Sequence, residues 1–233
     1  MTPLPPAGNP PLLAVIRFAI ALLYLVGAGL AASQIFIASL AADDSSASLQ
    51  SALLIEQRLT AINVRHLQRL ADLLPEQHIA LLAEATRIHP RSAALWIDLG
   101  LALERTGDLA QSERALLTAA SFDHRHQPAW TLANFYFRGN QSKPFWQWAA
   151  RAAALTFDDY RPLLRLADAW DSSPPSLVRR LGNTQPLLRA YLDFLIGEHR
   201  LDDAQQAANL LAQHHDPADS ARLAALAQLR PTH

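Results

Sequence analysis

The stretch AALWIDLGLALERTGDLAQSERALLTAASFDHRH, residues 93–126, decides the fold class. Its apolar residues recur at spacings of three and four on both sides of the Gly107-Asp108 pair, which predicts two helices joined by a tight turn. Gly107 suits the left-handed conformation that ends a helix, and Asp108 suits the position that caps the next one. Gly100 has no side chain and would let the two helices approach closely. The stretch therefore predicts a helical hairpin.

This hairpin resembles the tetratricopeptide repeat, a helix–turn–helix unit of about 34 residues. A second copy begins where Trp130 takes the position of Trp96, and Gly139-Asn140 supplies its turn. We expect its second helix to begin near Pro144, since proline is tolerated in the first turn of a helix. Weaker copies precede and follow these two. The matching positions are Trp96, Leu99, Gly100, Leu103, Leu116, Ala119 and Phe122 in the first unit, and Trp130, Ala133, Asn134 and Phe137 in the second.

The resemblance implies an all-α solenoid in which the first helices of successive repeats line a groove that binds a protein or peptide partner. By repeat position, that groove would be lined by Ile97, Leu101, Glu104, Arg105, Thr131, Phe135, Arg138, Arg161, Leu164 and Asp168. We expect Phe135 to be the exposed aromatic anchor for a partner, because aromatic residues dominate binding hot spots. The alternative is that these residues form an ordinary solvated helix face. Arg161 and Arg165 match two positions of the carboxylate clamp of some family members, but apolar residues occupy other clamp positions.

A long apolar segment precedes the repeats. Arg17 is the last charged residue before an uncharged run from Phe18 to Ala42. As a helix, this run would be about 37 Å long, which exceeds the roughly 30 Å hydrocarbon core of a bilayer. The run therefore predicts a transmembrane helix. A cleavable signal peptide, with Ser39-Leu40-Ala41 as the cleavage site, is the alternative.

These patterns divide the chain into five predicted parts. They are a disordered tail (1–11), a transmembrane anchor (12–42), a linking helix (43–75), tetratricopeptide-like repeats (76–214), and a C-terminal capping helix and tail (215–233). The basic flank at Arg17 predicts a cytoplasmic N-terminus. The sequence thus predicts a single-pass protein of a bacterial inner membrane with its C-terminal domain in the periplasm.

Composition excludes several classes of function. The 20 basic and 21 acidic residues are nearly balanced, which argues against nucleic-acid binding. The chain has no cysteine, so it has no thiolate metal site and no cysteine nucleophile. His124 with His126, and His214 with His215, fall in predicted connections, where polar residues are expected without a metal. We predict no catalytic residue, no metal and no cofactor.

The predicted function is a membrane-tethered scaffold for protein–protein interaction in the cell envelope. Two alternatives stay open. One is an enzyme, or a non-catalytic subunit, of cell-envelope polysaccharide assembly. The other is a structural oligomer assembled by the membrane helix and the segment 46–72. The sequence does not indicate an oligomeric state.

Overall fold

The computed structural model describes residues 10–43, 45–59 and 63–229, and this part of the chain is helical with no strand. Its helices are α1 (Pro10–Ala42), α2 (Ser46–Leu59), α3 (Val64–Leu73), α4 (His78–Ile88), α5 (Ala93–Arg105), α6 (Leu109–Phe122), α7 (His126–Arg138), α8 (Ser142–Leu155), α9 (Arg161–Trp170), α10 (Pro174–Leu181), α11 (Gln185–Gly197), α12 (Leu201–Ala212) and α13 (Ser220–Leu229). Short 3-10 turns span Pro75–Gln77 and Pro217–Asp219. The all-α prediction is therefore confirmed. Most of the predicted disordered tail lies outside the described residues, and Pro10 and Pro11 belong to α1.

The chain divides into two compact units, Met1–Ile88 and His89–His233. In the first unit, α1 is the one described helix that is long and apolar enough to cross a membrane. Its side chains from Val15 to Phe36 are solvent-exposed, apart from the half-buried Ser33. The core helix of a soluble protein would bury such an apolar surface.

The last turns of α1 belong to the core of this unit. Ile37 and Ala41 are buried together with Leu49 and Ala52 of α2 and with Leu70 of α3. The Arg69 guanidinium also donates a hydrogen bond to the carbonyl of Ala41 at the end of α1. The exposed apolar surface of α1 therefore lies before these turns.

The segment predicted as a single linking helix contains two helices instead. Ser45 accepts a hydrogen bond from the Ser48 amide (3.2 Å) at the start of α2. Asn63 starts α3 in the same way by accepting one from the Arg65 amide (3.1 Å). Between α2 and α3, the Glu56 carboxylate accepts a hydrogen bond from the Asn63 amide (2.9 Å). N-terminal caps of this kind start a new helix, and the cap at Asn63 does so although the apolar periodicity continues across the boundary between α2 and α3.

The second unit begins with the hairpin that the sequence predicts. Gly107 adopts a positive φ of 86°, and the Asp108 side chain caps α6 by accepting a hydrogen bond from the Gln111 amide (3.0 Å). At the crossing of α5 and α6, a β-carbon added to Gly100 would lie 2.6 Å from Leu116 Cδ2. The buried Ser112 hydroxyl donates to the Gly100 carbonyl (2.8 Å) across this contact. The close approach predicted at Gly100 is confirmed.

Further helix pairs pack beside this hairpin. The pairs α7–α8 and α11–α12 are each in extensive contact, and α8 begins at Ser142, two residues before Pro144. One row of neighbours runs α5, α7, α9, α11, and a second includes α8, α10 and α12. We call α5, α7 and α9 the first-row helices. At the C-terminal end, Asp216 caps the Pro217–Asp219 turn, after which α13 packs against α12.

Candidate functional site

The ten residues predicted to line a groove lie on the three first-row helices, but the structure does not expose them all. Ile97, Phe135 and Leu164 are buried in the hydrophobic core. Leu101, Glu104, Thr131 and Asp168 are half-buried, and Arg105, Arg138 and Arg161 are exposed. The accessible part of the predicted face is therefore mainly polar.

The expectation that Phe135 is exposed is wrong. Its side chain is only 3% exposed and packs edge-on against Tyr136, with 5.2 Å between the ring centroids. The reason is that α7 has α5, α6, α8 and α9 as neighbours, so more of its circumference is covered than repeat position suggests. Phe135 contributes to core packing, and it could contact a partner only if the helices around it separated.

Two of the charged residues on this face bind each other. The Arg138 guanidinium donates two hydrogen bonds to the Glu104 carboxylate, each 2.7 Å long. These residues are 34 positions apart, at the ends of α5 and α7, so the repeat spacing brings equivalent positions into contact. A bidentate pair is the stronger form of such a contact. Arg138 is 48% exposed on its side chain, but its charge is already matched within the chain.

The other charged residues of the face are also engaged. Asp168 accepts two hydrogen bonds from the Arg200 guanidinium, at 2.7 and 2.8 Å. Arg200 further binds Asp203 (2.8 Å), and hydrogen bonds to these two carboxylates raise its pKa. Arg161 donates to the Asp159 carboxylate (3.0 Å), and this contact lowers the pKa of Asp159. The face therefore presents paired charges rather than a row of cations for an anionic ligand.

The aromatic residues between positions 130 and 160 are buried or half-buried, with the exception of Phe157. Phe157 lies in the connection between α8 and α9, and 90% of its surface is accessible to solvent. Tyr160, in the same connection, is buried, and burial raises its pKa. Within this stretch, the exposed aromatic side chain is therefore that of Phe157 and not that of Phe135. Repeat position could not identify it, because Phe157 lies outside the helices.

A cleft that the sequence does not indicate lies at the ends of α5, α6 and α7. It has a volume of about 490 Å³, within the range of roughly 300–1,000 Å³ that is usual for ligand pockets. We call it the Arg91 cleft; its lining residues are Arg91, Ser92, Ala93, Ala94, Ile97, Phe122, Asp123, Arg125 and Gln127. The sequence prediction assigns groove positions on the faces of helices. It therefore could not predict a cleft that lies at helix ends.

The histidine pairs make ordinary contacts. His124 Nδ1 lies 3.1 Å from Arg151 Nη2, and the His126 ring stacks on Trp130. His215 Nδ1 contacts the Gln213 carbonyl at 2.8 Å. Within residues 10–43, 45–59 and 63–229, no three side chains of the usual metal-binding types come together. The absence of a metal site and of a catalytic residue stays a prediction.

Comparison with known proteins adds no assignment. No protein-family model matches the sequence, and a search of curated proteins finds no match. The tetratricopeptide-like interpretation therefore depends on the residue pattern and on the helix packing described above.

Proposed function

We propose that this chain is a membrane-tethered scaffold that binds a partner protein or peptide along the face of its first-row helices. The observation that carries the proposal is the ordered stacking of α5, α7 and α9, in which Glu104 and Arg138, one repeat apart, meet. Stacked helical repeats bury one edge against the next and leave an extended surface on one side. A tetratricopeptide-like solenoid is the architecture that fits this stacking best.

The charges of this face favour a particular class of partner. Glu104, Arg138, Asp168 and Arg161 are paired within the chain, so a strongly charged ligand would have to break existing ion pairs. A neutral helix or extended segment could pack over these ion pairs without breaking them. Half-buried Leu101 and Thr131 lie on the same face and offer packing surface. We therefore propose an uncharged or weakly charged segment of a protein as the ligand.

The apolar helix α1 supplies the tether in this proposal. Cleavage after Ala41 would remove Ile37 and Ala41 from the core that they form with Leu49, Ala52 and Leu70. Loss of buried side chains leaves apolar surface exposed and lowers stability. This dependence favours a retained anchor over a cleaved signal peptide. An intact mass of the protein purified from membranes distinguishes the two, and a mass that begins after Ala41 contradicts the anchor.

The proposed location is a bacterial inner membrane with the second unit in the periplasm. Arg17, on the N-terminal flank of the apolar run, supports this orientation, because basic flanks tend to stay in the cytoplasm. A reporter that is active only in the periplasm, fused after His233, tests it. Activity of a cytoplasm-specific reporter at the same position would reverse the orientation.

The binding face is tested with a matched pair of substitutions. Thr131 on α7 and Thr118 on α6 are both half-buried, and each donates its hydroxyl to the carbonyl four residues earlier, at 2.9 and 2.7 Å. Thr131→Arg places a bulky charge on the proposed face, whereas Thr118→Arg makes the same change on α6, outside the first row. Both variants remove an equivalent hydrogen bond, so they control for stability.

The assay is proximity labelling from the intact chain in its own membrane, followed by binding measurements with each labelled partner. We expect Thr131→Arg to weaken a direct partner at least tenfold, because a misplaced charge at an interface costs more than 1.4 kcal/mol. Thr118→Arg should leave that partner bound. If both variants keep every partner at wild-type affinity, the first-row face is not the binding surface.

A further inference from the structure

The connection between α8 and α9 presents Phe157 in a fixed position. We call residues 156–160 the Phe157 loop. The Thr156 hydroxyl donates to the Ala152 carbonyl (2.9 Å), and the Tyr160 hydroxyl donates to the Thr156 carbonyl (2.8 Å). Thr156 and Tyr160 are both buried, so the loop is anchored at its two ends. Phe157 between them is 90% exposed, and the anchored loop backbone around it needs little further ordering on binding.

The charge beside Phe157 is not neutralised by any residue that the structure describes. Asp159 is paired with Arg161, but Asp158 has no cationic partner among the described residues; its carboxylate only accepts the Asp159 amide (2.8 Å). The Phe157 loop therefore presents an aromatic side chain next to one unpaired negative charge.

The Arg91 cleft has the complementary features. Its apolar lining includes Ala93, Ala94 and the 45%-exposed ring of Phe122. Arg125, on its rim, is held by Asp123 through hydrogen bonds of 2.8 to 3.1 Å. Arg91 is exposed and has no anionic partner in the described part of the chain. The lining of the cleft is more polar than apolar, and it offers a small apolar surface at Ala93, Ala94 and Phe122 next to one unpaired positive charge.

We propose that the Phe157 loop of one molecule inserts into the Arg91 cleft of a second copy of this chain, with Asp158 approaching Arg91. Both surfaces lie in the second unit, and Phe157 does not line the cleft of its own chain. The opposite unpaired charges give attraction and register, and the Phe157 ring can pack against the few apolar side chains of the cleft. An aromatic anchor seated in a pocket is also the usual form of a binding hot spot.

The contact is heterologous, because it joins two different surfaces. Such contacts build rings or open rows rather than closed two-fold dimers. Insertion of the Phe157 loop alone makes a small interface. Confinement of both molecules to one membrane would raise their effective concentration. The proposal concerns assembly of the chain itself and is independent of the partner-binding face on the first-row helices.

The absence of cysteine allows a direct test by cross-linking. The full chain is prepared in lipid vesicles as two single-cysteine variants, Ala94→Cys in the cleft and Asp159→Cys in the Phe157 loop, which leaves Asp158 and Arg91 unchanged. Under oxidation, we expect a disulfide-linked dimer from the mixture and little from either variant alone. Ala110→Cys on α6, an exposed alanine outside both surfaces, replaces Ala94→Cys as the control. Equal yields with Ala94→Cys and Ala110→Cys would overturn the proposal.

Substitutions test the two components of the contact separately. In the full chain, Phe157→Ala should raise the self-association Kd roughly thirtyfold, as expected for a hot-spot anchor, without a change in thermal melting. Arg91→Glu and Asp158→Arg should each weaken association, and the double variant should recover it, because the charges are exchanged. Association that survives Phe157→Ala, or that is not recovered by the charge exchange, contradicts the proposal. Binding of Phe157 to a different protein in the absence of self-association contradicts it as well.

Discussion

The contact at Gly100 gives the sharpest test of how the first hairpin is built. A β-carbon at this position would lie 2.6 and 2.7 Å from Leu116 Cδ2 and Cγ, and 3.3 Å from the Ser112 carbonyl oxygen. Leu116 is 1% exposed, so its side chain has no solvent space into which it could turn. Gly100→Ala therefore forces a rearrangement of a packed core.

The expected magnitude combines two opposite effects. Overpacking a core costs roughly 1–3 kcal/mol, whereas alanine is favoured over glycine inside a helix by about 0.8–1 kcal/mol. The approach of 2.6 Å to a fully buried side chain places the overpacking cost in the upper part of its range, about 2–3 kcal/mol, so we expect Gly100→Ala to lower the free energy of unfolding by about 1–2 kcal/mol. Leu116→Ala alone should cost about 2–5 kcal/mol, because it leaves a cavity.

The double variant reverses the sign of the Gly100 effect. Once Leu116 is alanine, the added methyl group meets empty space, and only the helix preference and the partial filling of the cavity remain. Gly100→Ala should then raise the free energy of unfolding by about 1 kcal/mol in the Leu116→Ala background. Such a sign change is the signature of direct contact between the two positions.

The assay is urea unfolding of the full chain in detergent, followed by tryptophan fluorescence. All five tryptophans lie between residues 96 and 170, so the signal reports on the second unit. Gly197→Ala is the control, because it is a helical glycine with nothing within 4 Å of an added β-carbon. It should not lose stability. A Gly100→Ala variant that is as stable as the wild type would refute the close contact of α5 and α6.

Three further predictions concern the second unit. Gly107→Ala should lower the free energy of unfolding by about 1–2 kcal/mol in the same urea assay, because alanine is strained at the observed φ of +86°. Arg189→Met should cost about 3 kcal/mol, since it removes the 2.6 Å partner of Asp219, whose side chain is only 2% exposed; an unchanged midpoint would mean that the pair does not hold the C-terminal turn. The Ser176 hydroxyl donates to Asp171 (2.6 Å) and lowers its pKa, so this contact stabilises the fold above about pH 4 and is lost as the pH falls through the lowered pKa. The melting temperature of Ser176→Ala should accordingly lie below that of the wild type at pH 7 and approach it near about pH 2, as circular dichroism would measure; a constant difference at all pH values would contradict the carboxylate contact.

Local features of the hairpins could be predicted from the sequence, because they depend on residues close together in the chain. The positive φ of Gly107, the cap at Asp108 and the close approach at Gly100 each follow from the residue type at that position. The exposed apolar helix α1 follows from the length of its uncharged run. The same reasoning placed one linking helix where there are two, because a short capping contact around Asn63 outweighs the periodicity.

Which side chains reach the surface was decided by the tertiary structure. Phe135 is buried because four helices surround α7, and the number of neighbours of a helix cannot be derived from its own periodicity. Glu104 and Arg138 are recognisable as equivalent repeat positions, but their pairing requires α5 and α7 to pack side by side. Phe157 and the Arg91 cleft lie at helix ends, where exposure depends on how the connections fold back on the helices. The sequence by itself determined the helical class, the turn of the first hairpin and the long apolar N-terminal helix, whereas burial and charge pairing came from contacts between residues far apart in the chain.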